Sequence, residues 1–130
     1  TIGDTESLVS YDVNASLGVI TKNEKSTEYN DINDVTYWSA PVNSPLVSSV
    51  FNTVDPTRIF ELKPADINPD WAGTEWEHWF VASGAMAHAK GYSVQGPSTG
   101  IQSWFFTGEP NNGNISRELF YEDGTENYST

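Results

Sequence analysis

The 130-residue chain contains no cysteine. Disulfides and thiolate metal sites are therefore excluded, and its core must hold without covalent bridges. Bases are scarce too, with 6 Lys and Arg against 18 Asp and Glu and a formal net charge of −12. Nucleic-acid binding draws on cations that neutralise phosphates and release counterions, so this composition excludes it. An anionic membrane surface would repel the chain for the same reason. No apolar run approaches the ~20 residues that cross a bilayer, which excludes insertion by a helix. The sequence opens on Thr1 without a signal-peptide pattern, and we expect a mature fragment or an excerpt of a larger protein.

What is present argues for a folded domain. Aromatic residues make up 13% of the chain, with 5 Trp, too many for a disordered acidic tail. Short β-prone runs, broken by Gly, Pro, Asn and Asp, lie at Glu6–Tyr11, Leu17–Lys22, Val35–Ser39, Arg58–Leu62, Glu75–Val81, Gly91–Gln95, Gln102–Thr107 and Ile115–Tyr121. Their spacing predicts an all-β fold, an antiparallel and jelly-roll-like β-sandwich spanning 1–130 as a single domain. One segment has a different period. Apolar residues at 46, 47, 50, 51 and 54 form a helical stripe, which predicts a short helix around 45–54, with Ser44 as N-cap and Pro45 at the first position.

Four features occur in fixed order: an upstream strand pair at 6–22, then Tyr37-Trp-Ser-Ala-Pro-Val42, Met86-Ala-His-Ala-Lys-Gly-Tyr-Ser-Val-Gln-Gly-Pro97 and Phe106-Thr-Gly-Glu-Pro-Asn-Asn-Gly113. Together they resemble a β-rich module of large secreted and cell-surface proteins of the Bacteroidota, over roughly residues 6–115. Ala40 stands where that module carries a second serine, and the Gly-Asn-Pro-Tyr string that often follows is missing. The resemblance implies export by type IX secretion and use in adhesins, gliding-associated proteins or polysaccharide-handling proteins. It carries no catalytic residues with it. The motifs themselves read as scaffold, since Pro41 removes a ladder donor and the Gly and Asn positions favour turns.

Three constellations bear on chemistry. Asp66, Asn68 and Asp70 stand at positions 1, 3 and 5 of a calcium loop, with Glu77 at the twelfth, an oxygen spacing suited to a hard cation. Trp71 occupies the loop's glycine position, Pro69 is its fourth residue, and a polar turn is the competing reading. Glu75 and Glu77 would share one side of a strand, at a spacing that permits a glycosidase pair. Glu109-Pro110-Asn111 spells a lectin-like triplet, but it sits inside a turn motif and lacks the partners such lectins use. Neither His78 nor His88 forms a metal or acid–base motif with a neighbour. Trp71, Trp76, Trp79 and Trp104 remain as candidate glycan-stacking residues, against a core, rim or interface role.

These observations lead us to expect a non-enzymatic extracellular module for surface adhesion or assembly. Its partners would be other copies or domains of a surface protein. The alternative is a polysaccharide-binding module using exposed tryptophans, assisted by calcium. A glycan-active enzyme is the remote third.

Overall fold

The computed structural model describes residues 1–6 and 18–117. Six strands lie within them: β1 (Ile20–Tyr29), β2 (Val35–Trp38), β3 (Ile59–Leu62), β4 (Trp79–Val81), β5 (Tyr92–Gln95) and β6 (Gly100–Gly108). A single-turn helix, α1 (Val47–Val50), and a 3-10 turn at Pro56–Arg58 complete the regular structure. The strands make two sheets, one of two strands in the order β1-β6 and one of four in the order β2-β5-β3-β4. All pairings are antiparallel. The chain is all-β and sandwich-like, as its turn-punctuated strand runs predict. The strand expected from Glu6 lies, past that residue, outside the described residues, as does the second half of Ile115–Tyr121.

An aromatic cluster joins the two sheets. β6 contributes Trp104 and Phe106, β2 contributes Trp38, and Phe51 follows α1. Phe51 meets Trp104 edge to face at 5.3 Å between centroids, and Phe106 edge to face at 6.2 Å. Such geometry sets the positive edge of one ring against the negative face of the other and adds about 0.5–1.5 kcal/mol per pair to area burial. Val42, Met86, Ile59 and Val94 fill the space around the rings and are almost wholly shielded from solvent.

The quoted motifs converge on this core. Val42 bridges Pro110, Asn43 N–H donates to Glu109 O at 2.7 Å, and Asn111 donates its amide to Ala40 O at 2.7 Å. Met86 N–H donates to Pro45 O, and the Tyr92 hydroxyl accepts from Ala87 N–H at 2.8 Å. Three distant stretches thus close one end of the domain, and Glu109-Pro110-Asn111 is a brace within it.

Two expectations change. The helix spans Val47–Val50 rather than 45–54, and Ser44 does not cap it. Ser44 has φ 47°, whereas an N-cap needs an extended backbone. Leu46, at φ −72° and ψ 131°, takes that position and leaves no side-chain cap. The strand expected at Glu75–Val81 shrinks to Trp79–Val81, since 75–78 form turns. β1, conversely, runs seven residues past Lys22, through the polar string Asn23–Tyr29. Its inward positions include Lys22, whose amine meets Gly3 O and, at 3.1 Å, Asp4 O. A bulge between Lys25 and Glu28 is sealed by Ser26 Oγ, which accepts from Gln102 N–H at 2.8 Å. The bulge turns Tyr29 inward, where its hydroxyl contacts Thr36 and donates to Val94 O at 3.3 Å.

Gly96, at the end of β5, allows that tyrosine to sit where it does. A Cβ there would lie 2.7 Å from Tyr29 Cγ. Gly96→Ala is accordingly expected to lower stability by about 1–3 kcal/mol, read as an earlier midpoint in urea denaturation. Unchanged stability would show that the ring yields without loss.

Candidate aromatic binding cleft

The four-stranded sheet has two unlike faces. Register places Trp38, Tyr92, Val94, Ile59 and Glu61 on one, turned to the core. The other carries Val35 and Tyr37 from β2, Phe60 and Leu62 from β3, Trp79 and Val81 from β4, and Ser93 and Gln95 from β5. A solvent face of an antiparallel sheet is ordinarily polar. Here Tyr37 is 70% exposed, and Val35, Leu62 and Val81 are exposed as well.

The β3–β4 connection, residues 63–78, folds over this face. Lys63 N–H donates to His78 O at 2.9 Å and Asn68 N–H to Glu77 O at 2.6 Å, so the connection closes on itself. The Asn68 side chain bonds at both of its polar atoms. Its amide nitrogen donates to Trp79 O at 2.7 Å, and its Oδ1 accepts from Asp70 N–H at 3.1 Å. Glu77 Oε2 accepts from Gly73 N–H at 2.9 Å, where Gly73 holds φ 78°. The Asp, Asn and Glu spacing that resembles a calcium loop therefore braces a turn. Asn68 and Glu77 direct oxygens at backbone N–H groups, while Asp66 presents its backbone carbonyl to His78 Nδ1 at 2.8 Å. Among the described residues no three His, Asp or Glu side chains are placed to hold a metal ion. The Glu75–Glu77 pair loses the strand that would have aligned it.

This braced loop presents Trp71 and Trp76, 47% and 52% exposed, beside the half-buried Trp79. Together with Asn33, Val35, Phe60, Ser93 and Gln95 they line a cleft of about 390 Å³. Three of the four candidate tryptophans thus share one site. Trp104 does not belong with them: it is 2% exposed and lies in the core against Phe51. The alternation of β6 turns it inward with Phe106, leaving Phe105 and Ile101 outward. Asn33, Ser93 and Gln95 are site residues that sequence reasoning missed. Only the pairing of β5 with β2 and β3 brings them beneath the indoles.

Charge is distributed with a clear sense. No ionisable side chain lines the cleft. Every base of the chain has a partner: Lys22 with Glu24 at 3.4 Å, Lys25 with Asp4 at 4.0 Å, Lys63 and Lys90 with Glu61, Arg117 with His88 O at 3.1 Å, and Arg58 with Ile32 O, one residue along the chain from Asn33. Asp34 is held below the usual carboxylate range by the N–H groups of Asn30 and Asp31. Glu61 is the one strongly coupled acid on the core-facing side. Burial disfavours its charge, but hydrogen bonds and charge from Lys90 and Lys63 outweigh that and pull its pKa down. A carboxylate clamped by two ammonium groups is poorly placed to deliver a proton.

A family described as a domain of unknown function (DUF8693) matches residues 1–130. The chain belongs to this family. No curated protein and no solved structure matches it.

Two outcomes follow. Trp104→Ala is expected to lose about 3–5 kcal/mol in chemical denaturation, whereas Trp71→Ala stays within about 1 kcal/mol of the parent. Comparable losses in the two would undo the division between core and cleft tryptophans. Glu61→Gln is expected to cost about 1–3 kcal/mol at neutral pH. Because the folded pKa of Glu61 lies below its unfolded value, its contribution is complete above the ordinary Glu range and fades as pH falls through the folded pKa. The stability gap between parent and variant should then narrow on acidification, as urea titrations at a series of pH values would show.

Proposed function

We propose that the domain is a non-enzymatic extracellular binding module whose aromatic cleft takes a sugar chain. The observation that carries this reading is the gathering of Trp71, Trp76 and Trp79 around one cleft on an otherwise solvent-facing sheet. Sugar rings have C–H-rich faces that settle on flat indoles and hydroxyl edges that need hydrogen-bond partners. The indoles offer the first, and the amides of Asn33 and Gln95 with the Ser93 hydroxyl offer the second. The volume lies within the ~300–1,000 Å³ of small-ligand sites. Rigid aromatics also lose little side-chain entropy on binding. An extracellular setting accords with the resemblance to Bacteroidota surface modules and with a core that needs no thiol chemistry.

A second reading, adhesion or assembly with another domain of a surface protein, draws on a different observation. Tyr37, Leu62 and Val81 extend the apolar face beyond the cleft and are exposed. Such a patch on a soluble domain commonly marks an interaction surface.

Tryptophan fluorescence tests the first reading directly. A bound glycan should shift the emission of the exposed indoles, and Trp71→Ala or Trp76→Ala should weaken binding by roughly ten- to a hundredfold while the fold persists. No shift across a panel of algal and bacterial polysaccharides would reject it. A defined oligomer in light scattering, abolished by Tyr37→Ser and Leu62→Ser, would favour assembly instead.

A further inference from the structure

We propose that Asn112 is a site of spontaneous self-modification. Its side-chain amide is displaced by the backbone nitrogen of Gly113, which leaves an aspartate or isoaspartate beside the closed end of the domain. The reaction is independent of the cleft and its ligand, since no residue of 109–113 lines that site.

Sequence and geometry single out the same residue. Only Asn112, of all the asparagines, precedes a glycine. Asn68 precedes Pro69, which has no N–H to give up. The others precede residues whose side chains crowd a ring closing on the next backbone nitrogen. At Asn112 the reacting groups are already neighbours, because Gly113 N–H donates to Asn112 Oδ1 at 2.8 Å. Cγ lies one C=O bond, ~1.2 Å, from that oxygen and hence within about 4 Å of the nitrogen. A near-attack arrangement holds reacting atoms ~3–3.5 Å apart. Gly113, at φ 75° and without a Cβ, can turn through the remainder. It is exposed and Asn112 is half-buried, so solvent base reaches the N–H. The nearby asparagines are committed differently. Asn43 Oδ1 accepts from the Ser44 hydroxyl at 2.9 Å and meets His88 Nε2 at 2.8 Å, and Asn111 donates its amide to Ala40 O at 2.7 Å.

The reaction needs only water. Gly113 N–H gives its proton to solvent base, the bond from that nitrogen to Cγ forms, and the bond from Cγ to Nδ2 breaks. Nδ2 takes up a proton and leaves as ammonia. Water then opens the five-membered imide. Attack at Cγ leaves an ordinary aspartate. Attack at the Asn112 main-chain carbonyl leaves isoaspartate, with the main chain rerouted through the former side chain and one methylene longer. Either product makes the net charge one unit more negative than −12.

The position of the site gives this change a structural consequence. Asn111 N–H donates to Pro41 O at 3.2 Å, and Asn43 N–H to Glu109 O at 2.7 Å. These bonds, with the Asn111 amide on Ala40 O, hold the turn over buried Val42. A lengthened main chain one residue on, carrying a new carboxylate, loosens that closure.

The test holds the purified protein for days at neutral and at alkaline pH. Samples are read by isoelectric focusing, peptide mass mapping and enzymatic methylation of isoaspartate. An acidic species should accumulate, faster at alkaline pH, with the change from amide to acid in the peptide that holds residue 112. Every other asparagine should react at least about tenfold more slowly. Isomerisation at Asp123-Gly124 alters neither mass nor charge and does not enter the focusing pattern. Asn112→Gln, which needs a larger ring, and Gly113→Ala should each slow acidification roughly tenfold or more. The first variant keeps Gly113 and its backbone angle, so its effect does not come from a rebuilt turn. Acidification that survives Asn112→Gln or maps first to another asparagine would overturn the assignment, as would the absence of an acidic species at alkaline pH. The aged form, separated by ion exchange, should unfold at a lower urea midpoint than the fresh protein, and equal midpoints would overturn the loosening of the closed end.

Discussion

Phe51 is where the two sheets meet. Among the described residues no strand runs from one sheet into the other, so hydrogen-bonded ladders alone would leave the β1-β6 pair and the four-stranded sheet unconnected. The edge-to-face stacking of Phe51 on Trp104 and Phe106, with Trp38 on the far side, supplies the join. Aromatic rings suit the task because each buries a large area with few rotatable bonds. The turns around Val42, Met86 and Asn111 close over the same cluster and exclude water from it. Once this join fixes the four-stranded sheet by its inner face, its outer face is left free for other use.

The outer face is where the domain departs from ordinary patterning. A soluble sheet is expected to offer solvent polar side chains, and this one offers Tyr37, Val35, Phe60, Leu62 and Val81. The 63–78 loop partly covers that surface without filling it. Its bracing hydrogen bonds, from Asn68 to Trp79 O and from Gly73 to Glu77, fix the backbone that carries Trp71 and Trp76. The polar residues of the loop therefore serve the aromatic ones. A cleft built this way is preorganised, so a ligand need not order the loop when it arrives.

The placement of charge follows from a shortage. With six bases in the chain, the two strongest internal demands, at Glu61 and beneath β1, take Lys63, Lys90 and Lys22. The remaining bases tie down Asp4, Ile32 O and His88 O. No charged side chain lines the cleft, and Arg58, held at Ile32 O, stands one residue along the chain from Asn33.

The sequence by itself determined the all-β class, because Gly, Pro, Asn and Asp punctuate it into short alternating runs whatever their partners. β2, β3, β5 and β6 were legible for that reason, since each pairs an apolar stripe with a turn signal. β1 beyond Lys22 was not, because a strand of Asn, Glu, Lys, Ser and Thr has no apolar stripe and is held by its ladder to β6 and by Ser26 at the bulge. Ser44 could be read as a cap by type, but its backbone angle is imposed by the turn that bridges Leu46 to Ala85. The sequence likewise singled out the tryptophans but could not sort them. Strand parity turns Trp104 inward with Phe106, and a loop fold-back sets Trp71 and Trp76 over a sheet whose register was not written locally. Asn33, Ser93 and Gln95 joined the cleft for the same reason. Residue types declare what a side chain can do, whereas which ones stand together is decided by pairings between residues far apart in the chain.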